Sequence, residues 1–366
     1  MRDLDLTPQD FRCFSVPHAL CLAGEFQYAL RQGALVAAVS LRVNVSAEES
    51  DGRFGFGVVS SDGAFAADEV AAAHWQEVLG ELLFDSPDEL NGLRITLEAT
   101  GLGCRPEDVL LTPAAAVGFV CASLALRRGR MTVSAGEVAS LADSLLSRLV
   151  EAGDVRTSRF YAPAVACVLG GAWYVGPATE PLNAQLFVPP DSLVLGYCPS
   201  AEPRGMAEKW EEHLACALTA LGREGENLGG ATDGDIGLFF EMASGRLDEP
   251  QTVVLYGLLR MHEMIREHLE MLARPLHDVD RLAEICDEES ALLEDYFGFP
   301  SGHLRALRDA AVESGALGAK MTYSFGERPA LVILAPGRRK EVSAALKSRF
   351  EHDFVVPLDI DADGVR

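Results

Sequence analysis

Short apolar runs closed by turn residues dominate the first hundred positions. "ALVAAVSLRVNVSA" and "GRFGFGVVS" are rich in β-branched and aromatic residues, which predicts strands. Between them and the strand "LRITLEA" lies "AADEVAAAHWQEVLGELL", a helix whose apolar stripe is expected to run through Val70, His74, Trp75, Val78 and Leu82. Residues 113–129 and 134–152 read as two helices, the second opened by Ser134 with Glu137 three positions on, a capping box. "GGAWYV", "AQLFV" and "SLVLGYC" read as further strands. After Cys198 the pattern becomes helical, in "GMAEKWEEHLACALTALGREG" and then across 236–245, 250–274, 277–295 and 301–315, with a Gly/Asn/Asp loop at "REGENLGGATDGDIG". The last segments are the strands "AKMTYS" and "ALVILA", a helix from Lys340 to Phe350, and the strand "FVVPLDI", which together predict helices packed on a small antiparallel sheet.

A length of 366 residues suggests two units, and Pro199, Pro203 and Gly205 place their division after Cys198, giving domains 1–198 and 199–366. Hydrophobic residues at 48% and charged residues at 23% exclude a mainly disordered chain. The apolar run "PAAAVGFVCASLAL" is too short to span a bilayer and is followed by Arg127 and Arg128, so no membrane association is expected. "MRDLDLTPQDF" lacks the basic and apolar regions of a secretory signal, and a cytoplasmic location is expected. The net charge of −24 repels a phosphate backbone and argues against nucleic acid as a partner. The eight cysteines form no CxxC pair, and buried reduced thiols are expected rather than disulfides or zinc.

Three short stretches invite a chemical reading. In "MHEMIREH", His262 and His268 are six apart, whereas chelation from one helix face needs a spacing of four. "ATGLGCRPED" offers two glycines after a strand but no Lys-Ser/Thr pair, and a turn is favoured. Asp233 and Asp235 in "ATDGDIGLF" lack the remaining ligands of a calcium loop. No metal ligand set is identified, and the metal assignment stays unknown.

Four segments in order resemble the motifs of the GHMP kinases, and within them the galactokinase-like sugar kinases. "VPHALCLAGEFQYALRQGALVAAVSLRV" is similar to that family's APGRxxLxGEHxDYxxGxxxxxAI. "TPAAAVGFVCASLAL" sits where a Gly-Ser-rich phosphate loop opens a helix, and "FYAPAVACVLGGAWYV" where a GGMMDxxxxxxGGxxYL segment carries the catalytic aspartate. "GALGAKMTYSFGERPALVILAP" resembles the third motif, GAxGAKxxGSGGGGCxxAxxP, and the closing "DGVR" also matches. The resemblance implies an α+β, two-domain fold: an N-terminal α/β domain like domain 2 of ribosomal protein S5 and a ferredoxin-like α+β C-terminal domain. It implies ATP-dependent phosphotransfer to an alcohol group.

The departures from those motifs fall on the residues that carry the chemistry. The family's arginine falls on Ala19 and its catalytic aspartate on Pro163, so no catalytic residue is assigned. Glu25 and Gln27 are the candidate substrate-binding residues that the resemblance leaves, while Tyr28 stands at the next carboxylate position. In the second motif Leu110, Leu111, Pro113, Ala114 and Ala115 replace glycines and serines; Thr112 and Pro113 suit a helix cap and first position. Thr112, Lys320, Ser324 and Gly326 are the candidate nucleotide- and phosphate-binding residues, and Tyr323, Phe325 and Glu327 are expected to crowd that space. Besides an unrelated α+β binding protein with a chance likeness to the family, two functions remain open. One is a pseudokinase that needs no cofactor and works as a binding or partner subunit, with a sugar ligand or an active kinase homologue as partner. The other is a divergent active sugar kinase using Mg-ATP, with Glu25 or an acid from elsewhere as base.

Overall fold

From Ala34 to Val39 every residue is buried, and beyond that only Leu41, Val43, Val45 and Ala47 are, in strict alternation. A strand buried on both faces for half its length and on one face for the rest must be the centre of a sheet. The structure is a computed structural model. It describes residues 3–6, 13–25, 33–50, 52–60, 63–67, 69–99, 109–126, 131–149, 160–176, 183–186, 188–197, 212–213, 216–217, 219, 245–272, 279–297, 302–322, 329–350 and 354–366.

The described elements run β1 (Asp3–Leu6), β2 (Cys13–Ala23), β3 (Ala34–Glu49), β4 (Gly55–Ser60), β5 (Gly63–Ala66), α1 (Glu69–Leu83), β6 (Leu93–Ala99), α2 (Pro113–Leu126), β7 (Met131–Ser134), α3 (Ala135–Leu149), α4 (Tyr161–Leu169), β8 (Ala172–Val175) and β9 (Asn183–Leu186). They continue through β10 (Leu193–Tyr197), α5 (Glu249–Leu272), α6 (Val279–Phe297), α7 (Gly302–Glu313), β11 (Gly318–Thr322), β12 (Ala330–Leu334), α8 (Arg339–Arg349) and β13 (Phe354–Leu358). A seven-stranded sheet has the order β5-β4-β6-β3-β8-β9, with β2 paired to β3. Strand β3 pairs with β8 through its first residues and with β6 through its last, as its burial requires. Only β4 and β6 are parallel within that sheet. Helices α2 and α4 pack on β2 and β3, and α3 covers both helices.

Residues 113–126 are apolar on every side, and α2 is accordingly a core helix rather than an amphipathic one. Phe119 on it meets Trp75 of α1 and Phe56 of β4, with ring centroids 4.6 Å and 6.0 Å away. Of the expected α1 stripe, Trp75 and Val78 are buried and Leu82 is partly buried, the Val70 side chain lies outside the described residues, and His74 departs from the expectation. His74 is exposed, and the buried side runs through Ala72, Trp75, Val78, Leu79 and Leu83. The capping box is present as one bond: the Glu137 amide donates to Ser134 Oγ at 3.2 Å.

The second sheet has the order β11-β12-β10-β13 and is antiparallel throughout. With helices between its first and second and its third and fourth strands, this is the ferredoxin-like arrangement. Strand β10 ends at Tyr197, before the division expected after residue 198, yet it is a central strand of this second sheet. The second sheet therefore begins by residue 193. Pro199, Pro203 and Gly205, where the division was expected, lie outside the described residues.

Two features join the units. After β13 the chain returns to the first sheet. The Ser40 amide donates to Asp359 O (2.8 Å), the Asp361 amide to Ala38 O (3.0 Å) and the Gly171 amide to Asp361 O (2.6 Å). Arg42 of β3 forms an ion pair with Asp361 and donates to the carbonyls of Ser15 and Gly364, both at 2.7 Å. The closing "DGVR" is thus a structural strap. The second junction is α6 and β11 against β2. There β11 is an edge strand, and α6 covers its outward backbone: the Ala319 amide donates to Asp287 Oδ1 (3.2 Å), and Ser290 Oγ donates to Ala319 O (2.9 Å).

The closeness of α6 to β11 is allowed by Gly318, where a β-carbon would lie 2.8 Å from the Ala283 carbonyl and 3.1 Å from Asp287 Oδ1. Gly318→Ala should lower stability by about 1–3 kcal/mol, the usual cost of overpacking, because the obstructing atom is backbone. Urea unfolding measures it; an unchanged midpoint would show that α6 can retreat freely.

Candidate functional site

The four places where the motifs predict chemistry are the start of α2, the start of α4, the turn after β2, and β11 with the residues that follow it. At the start of α2, Thr112 is the cap. Its Oγ1 donates to Val109 O (2.8 Å) and accepts from the Ala115 amide (3.3 Å), while the Ala116 amide donates to Thr112 O at 3.1 Å. Pro113 follows at the first helical position and brings no N–H. Leu110, Thr112, Ala114 and Ala115 are all buried. The Thr112 hydroxyl and the Ala115 amide, two groups that a phosphate could use at a helix N-terminus, are bonded within the chain.

At α4, Pro163 is the third residue of the helix, within the first turn, where its missing N–H disturbs no bond. Nothing in the sequence flagged the neighbour that organises this turn. Asp143 of α3 is buried, and its Oδ1 accepts from the Phe160 amide at 2.8 Å. Burial pushes its carboxyl up to about 7, against the pull of the Phe160 and Tyr161 amides. Ala19, on β2, is buried, and next to it His18 is fully enclosed, its imidazole lowered by burial to about 3.

The turn after β2 gathers three of the four buried charged residues, apart from histidine, among the described residues: Glu25, Glu289 and Lys320, with Asp143 elsewhere. Gly24 has φ +89°, a conformation that favours glycine, and it directs two successive amides to one side. The Gly24 amide lies 3.0 Å from both oxygens of Glu289, and the Glu25 amide donates to Glu289 Oε1 at 2.7 Å. Lys320 of β11 reaches the same place. Its Nζ is 3.2 Å from Glu25 Oε2, 3.4 Å from Glu289 Oε1 and 3.2 Å from the Cys21 carbonyl. Lys320 and Glu289 are wholly buried and Glu25 is 8% exposed. Burial alone would lower the Lys320 ammonium, but the negative groups around it, Glu289 foremost, reverse that and hold it above its ordinary value. Burial raises the Glu289 carboxyl, while Lys320 and the two amides act in the opposite direction.

Glu25 and Lys320, expected at substrate and nucleotide respectively, are thus brought together and paired with each other. Thr112 is a helix cap. Gln27, Ser324 and Gly326 lie outside the described residues, as do Tyr28, Tyr323, Phe325 and Glu327. Glu289 was missed, although one signal was available. It falls in register with Leu282, Cys286 and Leu293 on the apolar stripe of α6, where a solvated glutamate has no place. Among the described residues no group of three or more His, Cys, Asp or Glu side chains is placed to hold a metal ion, and no helix is long and apolar enough to cross a membrane. Cys21, Cys121, Cys167 and Cys286 are buried thiols, while Cys13 and Cys216 are exposed, contrary to the expectation for those two.

No protein-family model and no curated protein sequence matches the chain. Solved structures do. A Lactococcus lactis galactokinase complexed with galactose superposes with a TM-score of 0.74 at 12% identity, covering 98% of this chain and 95% of that chain. L. major mevalonate kinase in complex with R-mevalonate gives 0.59 at 14% identity, with 99% of each chain covered. A D-glycero-D-manno-heptose 1-phosphate kinase from Bacteriodes thetaiotaomicron gives 0.56 at 15%, with 97% of each covered. At such identities the likeness is one of fold.

Lys320→Met should cost about 3–5 kcal/mol in chemical denaturation, since it strands two carboxylates in a buried place. A smaller loss than an exposed Lys→Met control would show that the carboxylates simply take up protons. Acid and base limbs of stability should also separate. An unfolded histidine titrates near 6.5 and His18 at about 3, so the unfolded state binds the extra proton and stability falls as pH drops through that window. Asp143 works the other way: its contribution is full below about 4 and is lost as pH rises through 7. Urea midpoints across pH 3.5–8 should show the acid limb flattened in His18→Leu and the neutral limb flattened in Asp143→Asn.

Proposed function

We propose that this chain, whose fold is that of the GHMP kinases, is a pseudokinase of the galactokinase-like kind: a binding or partner subunit that keeps the two-sheet frame without phosphoryl transfer. The observation that carries this is the start of α2, where Thr112 and Pro113 close the helix within the protein. Phosphoryl transfer works by positioning and by electrostatic stabilisation of the transferred group. Here the Ala115 amide at the start of α2 is taken by the Thr112 hydroxyl, a neutral buried alanine stands at position 19, and the expected aspartate position is a proline in the first turn of α4. The Lys320 ammonium is held by Glu25 and Glu289. These residues do not fit Mg-ATP.

One observation favours the alternative, a divergent active sugar kinase. Asp143 lies at the N-terminus of α4, the element on which Pro163 stands, with its carboxyl at about 7, the range suited to a general base. A small sugar or polyol would then be the acceptor.

Differential scanning fluorimetry with Mg-ATP, and with galactose and other hexoses, separates the two. The pseudokinase reading expects no saturable shift with Mg-ATP and no ADP release in a coupled assay at high protein concentration. A saturable stabilisation accompanied by ADP release that Asp143→Asn abolishes would replace it with the kinase reading.

A further inference from the structure

Around the Gly24–Glu25 turn the buried charges are two carboxylates against one ammonium. An unbalanced charge out of water is costly unless other dipoles share it. The amides of Gly24 and Glu25 do so, since both point at Glu289. The donors come from both units: the amides from the turn after β2, the ammonium from β11 of the second sheet. Together they define a position for one carboxylate, built as backbone nests for anions are built, with a cation added. The carboxylate that sits there comes from α6, 265 residues along the chain from Gly24.

We propose that the Gly24 and Glu25 amides and the Lys320 ammonium form an anion site that the chain occupies itself, with Glu289, and that this self-occupation is the latch between the two units at that junction. Opening there proceeds by withdrawal of the Glu289 carboxylate, while the strap at Arg42 and Asp361 keeps the units joined. This does not depend on whether the protein transfers phosphate.

Two thiols flank the latch and report on it. Cys286 Sγ, on α6, donates to Leu22 O of β2 at 3.5 Å, and Cys21 Sγ, on β2, donates to Ala23 O at 3.3 Å. Cys121 and Cys167, on α2 and α4, are buried inside the first unit and serve as internal controls. Burial raises all four thiols above the ordinary range, so each reacts only when its surroundings open.

The test is N-ethylmaleimide labelling of the full chain, read peptide by peptide by mass spectrometry. Glu289→Gln keeps the shape and removes the charge; it should speed labelling of Cys21 and Cys286 roughly tenfold or more, with Cys121 and Cys167 as slow as in the parent protein. An equal rise at all four sites, or none, overturns the latch. Glu289→Ala vacates the site, and sodium formate, but not sodium chloride at the same ionic strength, should slow Cys21 and Cys286 again. No difference between the two salts overturns the anion site. Should neither variant fold, the parent protein in sub-denaturing urea decides: Cys21 and Cys286 labelled ahead of Cys121 and Cys167 supports the latch, and simultaneous labelling of the four overturns it.

Discussion

Glu289 cannot be moved without consequence for either sheet. Its carboxylate is held by the Gly24 and Glu25 amides on one side and faces Lys320 on the other, in a place closed to water. That arrangement ties the turn after β2 to α6 and to Lys320 of β11. A hydrogen-bonded buried charge is tolerable only in one geometry, because any displacement leaves an unpaired charge in a medium that solvates it poorly. Apolar packing across the same junction would have allowed α6 to slide.

The same turn connects structure with the functional reading. Glu25 stands where a substrate-gripping carboxylate is expected, and it shares Lys320 with Glu289. Thr112 stands where a phosphate loop is expected, and it caps α2. In both places a group that a ligand would use is satisfied from within. Such internal satisfaction ties these groups to the frame itself, and it is the geometric support for the pseudokinase proposal beside the motif loss.

Local pattern made much of the fold legible. The helices α1, α2, α3 and α5–α8 and the strands β3, β4, β6 and β8–β13 were visible as apolar periodicities with turn residues between them. Five elements were not: the four-residue strands β1, β5 and β7, then β2, whose residues 16–23 are buried without a break, and α4, nine residues with no polar face. A continuous apolar run fits a buried strand or a buried helix equally well. The placement of β10 was missed for a different reason, since which sheet a strand joins is set by partners more than a hundred residues away. Of the site, Thr112 as a cap was legible because capping is local. The Glu25–Lys320 pair was not, because its members are 295 residues apart. Asp143 reads as an ordinary polar position on α3, and only the arrival of the Phe160 amide gives it a role.

The covering of β11 by α6 bears on assembly. A sheet edge normally offers a row of amides and carbonyls to which an extended peptide, or the edge of another molecule, can add as a further strand. On β11 the Ala319 amide and carbonyl are already engaged by Asp287 and Ser290. Strand addition at that edge would require α6 to be peeled away first, and with it Glu289. Whatever this protein binds, it does not lengthen its second sheet through β11 while α6 is in place, and recognition by another chain has to use side-chain surfaces or a different edge.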